Sequence, residues 1–118
     1  MLNLLKFKKN GGSEMYFEYS VAIAPLLKKV GGEVIYSGLA RQYYQNAPGG
    51  VEWDMVAIVR YPSIQAFSSM TNSTEYQKIF HLRENSLETA VLCRTEKLTA
   101  ELFQRGRGAA TSTPKSRL

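Results

Sequence analysis

Apolar positions divide most of the chain into alternating strand-like and helix-like stretches. Residues 1–8 carry Leu2 and Leu4 on one parity and Leu5 and Phe7 on the other, and a strand apolar on both faces wants cover on both. Asn10-Gly11-Gly12-Ser13 breaks the pattern. It predicts a helix start with Ser13 as N-cap and Glu14 in the first turn. From Glu14 to Val30, the residues Tyr16, Tyr19, Ile23, Leu26 or Leu27, and Val30 recur at three- and four-residue spacing, which reads as one amphipathic helix. Pro25 removes a backbone donor inside it and predicts a kink or an early break. Gly31-Gly32 ends it.

Glu33 to Tyr44 holds Val34, Ile35, Tyr36, Leu39, Tyr43 and Tyr44, the β-branched and aromatic content of a strand, and Gly38 within it predicts a bulge or the close approach of another group. Asn46-Ala47-Pro48-Gly49-Gly50 is a turn cluster, so Glu52 to Tyr61 reads as the returning strand of a hairpin. In that strand Trp53, Met55, Ala57, Val59 and Tyr61 share one parity; Asp54, Val56, Ile58 and Arg60 share the other. Pro62-Ser63 stops the strand and caps a helix. Ile64, Phe67 and Met70 form a short stripe, Thr71-Asn72-Ser73-Thr74 interrupts it, and Tyr76, Ile79 and Phe80 resume it as far as Arg83. Residues 88–97 supply a last strand.

The order βαββαβ predicts an α+β, ferredoxin-like domain, with both helices on one face of a four-stranded antiparallel sheet. The other face would then be open and apolar, because no strand has a consistently polar parity. An apolar sheet face of that extent on a small domain is an association surface, and pairing it with a second copy about a two-fold axis predicts a homodimeric α/β barrel.

Several of these residues also form a pattern that resembles an uncharacterised family of the dimeric α/β-barrel superfamily. They are Gly31-Gly32, Glu52-Trp53-Asp54 opening a strand, Tyr61-Pro62-Ser63 closing it, Phe67, Ser73 with Glu75-Tyr76-Gln77, and Arg83. The resemblance spans roughly residues 1–97 and implies the fold and the dimer. Relatives in that superfamily include cofactor-free monooxygenases, haem-degrading enzymes, small isomerases and decarboxylases, and stress-responsive proteins, so the resemblance implies little about chemistry. Members usually carry sequence ahead of the first strand. Here it starts at Met1, which predicts a pocket shaped without such a segment.

Composition narrows the classes further. The chain has 118 residues, 44% hydrophobic and 21% charged, with one cysteine; one soluble domain is expected, with no apolar run near the roughly 18 residues of a membrane span. The domain is placed at residues 1–98 and a C-terminal extension at 99–118, disordered from about residue 104 for want of apolar residues. Of the net charge of +5, Arg105, Arg107, Lys115 and Arg117 contribute four, so the folded part lacks the basic surface of a nucleic-acid binder. The apolar opening stretch has neither the basic flank nor the cleavage site of a signal peptide. Together with the lone Cys93 it points to the cytoplasm. The final Ser116-Arg117-Leu118 is close to the peroxisomal S-K-L address, a match short enough to arise by chance.

No P-loop, dinucleotide fingerprint, metalloprotease motif or cysteine pair is present. With one histidine and one cysteine, a zinc site of His and Cys within one chain is excluded, and neither metal nor cofactor is expected. His81, near Arg83 on the second helical region, is a candidate acid-base group or haem ligand, against a plain surface role. Asp54 and Arg60 lie about 20 Å apart along an extended strand. Facing a barrel interior, Asp54 could move a proton and Arg60 orient an anion; otherwise they are a solvated strand end and an interface ion pair. Asn3, a polar residue among leucines, is a candidate ligand contact, as are Tyr19, Tyr36, Trp53 and Arg83, the aromatic ones competing with ordinary core packing. The leading expectation is therefore a homodimer binding a small, partly aromatic or anionic molecule between sheet and helices, with or without cofactor-free turnover. The alternatives are a non-catalytic dimerisation module and a haem-binding or monooxygenase-like protein.

Overall fold

The computed structural model describes residues 1–106. Its elements run β1 (Leu2–Phe7), α1 (Gly12–Lys29), β2 (Glu33–Leu39), β3 (Met55–Arg60), α2 (Ile64–Thr71), α3 (Thr74–Ser86), β4 (Leu87–Cys93) and a short α4 (Ala100–Gly106). The four strands form one antiparallel sheet in the order β2-β3-β1-β4, and α1 packs on α3. This is the expected α+β, ferredoxin-like arrangement, with the second helical region divided in two. Residues 104–106 belong to α4, where composition predicted no structure. The rest of the basic tail, with Ser116-Arg117-Leu118, lies outside the described residues.

Helix ends follow local chemistry, with one difference from expectation. The cap of α1 is Gly11, in the left-handed region at φ 79°, rather than Ser13, whose hydroxyl donates instead to the Glu14 carboxylate at 3.2 Å. A Cβ on Gly12, the first residue of the helix, would stand 2.7 Å from the Ser86 carbonyl oxygen. Only glycine lets α1 approach the end of α3 that closely. Pro25 does not break α1. It and Val21, whose carbonyl loses its partner, both lie on the exposed side, where water can satisfy the freed group. Ser63 caps α2 by accepting from the Ala66 N–H, and Ser73 caps α3 by accepting from the Tyr76 N–H, both at 3.1 Å. That second cap is why the helical region divides at Thr71–Thr74.

The register settles which parity meets the helices. Asn3 pairs with Ala57 and Leu92, and Leu5 with Met55 and Ala90; this set lies under the helices, with Leu5 wholly buried. Leu2 pairs with Ile58 and Cys93, and Leu4 with Val56 and Val91, so these residues form the opposite face, with Tyr36 opposite Ile58. Among the described residues no helix covers that face, and Tyr36 is 57% exposed. The irregularity in β2 falls between Val34 and Tyr36. Gly38 instead answers to close approach, since a Cβ there would collide with the Tyr36 phenol.

The hairpin strands are shorter than their composition suggests. Beyond Leu39 the chain leaves the ladder: the Trp53 N–H donates to the Tyr43 hydroxyl at 2.6 Å, and that hydroxyl donates to the Trp53 carbonyl at 3.2 Å. A side chain thus takes the hydrogen bonds a longer strand would have used. Ala40 N–H to the Asp54 carbonyl, at 2.9 Å, closes the loop.

Candidate functional site

Sheet and helices do not close fully on one another. Between them lies a cavity of about 300 Å³, near the lower end of the ~300–1,000 Å³ typical of small-molecule sites. Its floor is the helix-facing side of the sheet: Asn3 of β1, Met55, Ala57 and Val59 of β3, and Leu92 of β4. Helix α1 contributes Tyr16, Tyr19, Ile23 and Leu27, one apolar stripe. Phe67 and Met70 of α2 close one end beside Tyr61, whose ring meets Phe67 edge-on at 5.1 Å. Helix α3 presents Tyr76, Phe80 and Arg83, which share a helix face through their four- and three-residue spacing.

The aromatic rings form a continuous wall. Phe7, Tyr16, Tyr19, Tyr76 and Phe80 follow one another with centroid separations of 5.6, 5.4, 6.5 and 5.9 Å, within the range of favourable ring pairing. At its centre the hydroxyls of Tyr19 and Tyr76 hydrogen-bond at 3.2 Å. Burial raises the phenol of Tyr16, holds that of Tyr19 well above its ordinary titration range and pushes that of Tyr61 up to about 12, while Arg83 pulls all three down by a smaller amount. One guanidinium is thus felt by three phenols. These hydroxyls are neutral donors at physiological pH.

The raised phenols make an alkaline prediction with a definite sign. Well below pH 10, the ordinary phenol value, these phenols hold their protons in both folded and unfolded chains and their contribution to stability is fully retained. Above it the unfolded chain releases protons first, so stability falls as pH rises through about 12. Urea unfolding between about pH 9 and pH 11 should show the decline, and Tyr61→Phe should make it shallower. Phenolate absorbance from these residues appearing while the near-ultraviolet circular dichroism stays native would contradict it.

Of the residues singled out from the sequence, the fold brings Asn3, Tyr19 and Arg83 together in the cavity wall. The others lie elsewhere. Arg60 is exposed and pairs with the Glu33 carboxylate across the β2–β3 ladder. Asp54 precedes β3 and accepts the Phe7 N–H at 2.8 Å, extending the sheet's own bonding. His81 is exposed on α3, off the Tyr76–Phe80–Arg83 face. Tyr36 belongs to the uncovered sheet face, and Trp53 to the hairpin loop. Tyr76, Phe80 and Lys28 also line the cavity and were not anticipated; a cation recurring on the apolar stripe of α3 is the signal that could have marked that face.

Neither carboxylate nor imidazole occurs among the cavity-lining residues, whereas Arg83 and the exposed Lys28 do. Chemically the cavity can enclose an apolar body, donate hydrogen bonds from phenols and hold negative charge. Among the described residues, no three His, Cys, Asp or Glu side chains gather to hold a metal ion, and no helix is long and apolar enough to cross a membrane.

The model of a family described as a domain of unknown function, DUF1330, matches residues 7–95. Among solved structures, the chain is similar to RPA0582 from Rhodopseudomonas palustris, a protein of unknown function. Identity is 28% and the TM-score 0.74, covering 83% of this chain and 80% of that one. A crystal structure of methylated RPA0582 matches with 28% identity and a TM-score of 0.75, over 84% and 79% of the two chains. No curated protein matches.

Proposed function

Since this chain belongs to the DUF1330 family, whose description carries no activity, we propose from its own geometry that it is a cytoplasmic homodimeric α/β barrel that binds a small organic molecule between sheet and helices. The observation that carries this reading is the cavity of about 300 Å³ beneath the helices. A domain built only to dimerise would fill that space, because an interior packed to normal density gains dispersion energy that a void forfeits. The wall combines apolar side chains with a few polar groups that could orient a guest, as in ordinary ligand sites.

The dimer half of the proposal rests on the uncovered face of Leu2, Leu4, Val56, Ile58 and Val91. Two such faces packed together would remove apolar surface from water on both copies. The haem alternative gains no support, as the single histidine, His81, is exposed and does not line the cavity.

Native mass spectrometry of protein isolated gently from its host tests both halves together. The expected species is twice the 13.3 kDa chain mass plus a small retained molecule, lost on partial denaturation. A dimer that remains empty when presented with host metabolite extract would remove the ligand reading. A monomer at all concentrations would remove the barrel.

A further inference from the structure

Resting on the proposed ligand site, we propose that the cavity selects a small monocarboxylate with an apolar body the size of a single ring, and that the Arg83 guanidinium is its anchor. The central observation is an unanswered donor. The Nη2 atom of Arg83 is buried and, among the described residues, has no hydrogen-bond partner. A buried donor left unpaired is costly, and more so on a charged group. Native proteins keep such a group where something else completes it.

The surroundings say what would complete it. Arg83 is one of the residues that line the cavity, and a small turn of its side chain would bring the buried Nη2 to a guest held there. Lys28 is the other charged residue of that wall, and no acid there balances either cation. An anion is therefore the complementary partner. The planar guanidinium fork matches a carboxylate in particular, donating to two oxygens side by side. The neighbouring phenols are held as neutral donors by burial, and Asn3, 8% exposed, adds an amide on the sheet side.

Volume and charge limit the rest of the molecule. A cavity of about 300 Å³ holds about ten waters at ~30 Å³ each, enough for a carboxylate on one six-membered ring or a branched chain of similar bulk. Lys28 is exposed and already solvated, and Arg83 is the lining cation drawn in from solvent, so a single negative charge is matched and a dianion is not. The wall of aromatic and aliphatic side chains suits an apolar remainder. A long polar chain would lose its hydration there without recovering hydrogen bonds.

Isothermal titration with benzoate, benzamide, benzyl alcohol and phenyl phosphate tests this on the full-length protein. Benzoate is expected to bind about ten- to a hundredfold more tightly than benzamide, the range of one charge-assisted hydrogen-bonded contact. Arg83→Met should abolish that preference, and Arg83→Lys should retain part of it. If Arg83→Met does not fold, the wild-type preference and the Arg83→Lys loss decide the matter. Equal binding of benzoate and benzamide, a preference that survives in Arg83→Met, or tighter binding of phenyl phosphate would overturn the inference and leave the ligand site standing. If none of the four probes binds, the inference falls, and the ligand-binding reading is decided separately by the mass spectrometry of the protein presented with host metabolite extract.

Discussion

Ile58→Asp is expected to turn the proposed dimer into a folded monomer. Ile58 lies between Leu2 of β1 and Tyr36 of β2 on the uncovered sheet face. In a single copy an aspartate there reaches water at little cost. In a two-fold dimer the same substitution places a carboxylate against an apolar surface twice, at ~3–5 kcal/mol for each uncompensated buried charge. Light scattering should show the particle mass falling from twice 13.3 kDa to 13.3 kDa, with the far-ultraviolet circular dichroism unchanged. Cys93, exposed in one copy and paired with Leu2 on the same face, supplies a second readout: its thiol should be labelled faster in the variant. A variant that stays dimeric would show that the subunits meet elsewhere.

Leu5→Ala should cost about 2–5 kcal/mol of folding stability, the range for deleting a buried leucine side chain. Leu5 is 0% exposed and lies beneath the helices, between Met55 and Ala90. Every part of the deleted side chain was in contact with protein, and the central strand cannot move to fill the gap without disturbing both of its neighbours. Against a typical total of ~5–15 kcal/mol, this is a large fraction. The urea midpoint should drop with its slope unchanged. Phe17→Ala is the control: Phe17 is 69% exposed on α1, and its loss should stay within about 0.5 kcal/mol. Similar costs for the two substitutions would mean that the core does not lie under α1 and α3.

Element order was legible because strands and helices leave different periods in the sequence. Turn chemistry marked Gly31, Pro62 and Ser63 as boundaries where the structure has them. The orientation of β1 was not legible, for a physical reason: with Leu2 and Leu4 on one face and Leu5 on the other, hydrophobicity does not break the tie, and only the register against β3 and β4 does. The ambiguity carried over to the candidate residues. Asp54 and Arg60 belong to the parity turned away from the helices, whereas Asn3 shares its face with Leu5 and Ala57. Asn3 stood out as a polar residue among leucines, and it lines the cavity. Tyr76 and Phe80 did not stand out, because an aromatic stripe on a helix reads the same whether it packs against protein or borders a void. The isolation of the Arg83 Nη2 atom is a fact of three-dimensional packing with no trace in spacing or composition.

The cavity wall draws on β1 through Asn3, on α1, β2 and β3, on α2 and α3, and on β4 through Leu92. No contiguous fragment of the chain contains the site, so it exists only when the domain has folded as a whole. A guest would therefore act as a folding ligand, shifting the equilibrium of the entire domain rather than tightening one loop. At a hundred times its dissociation constant it would add about 2.7 kcal/mol to stability. The amount of folded protein in the cell would then follow the supply of the molecule it holds.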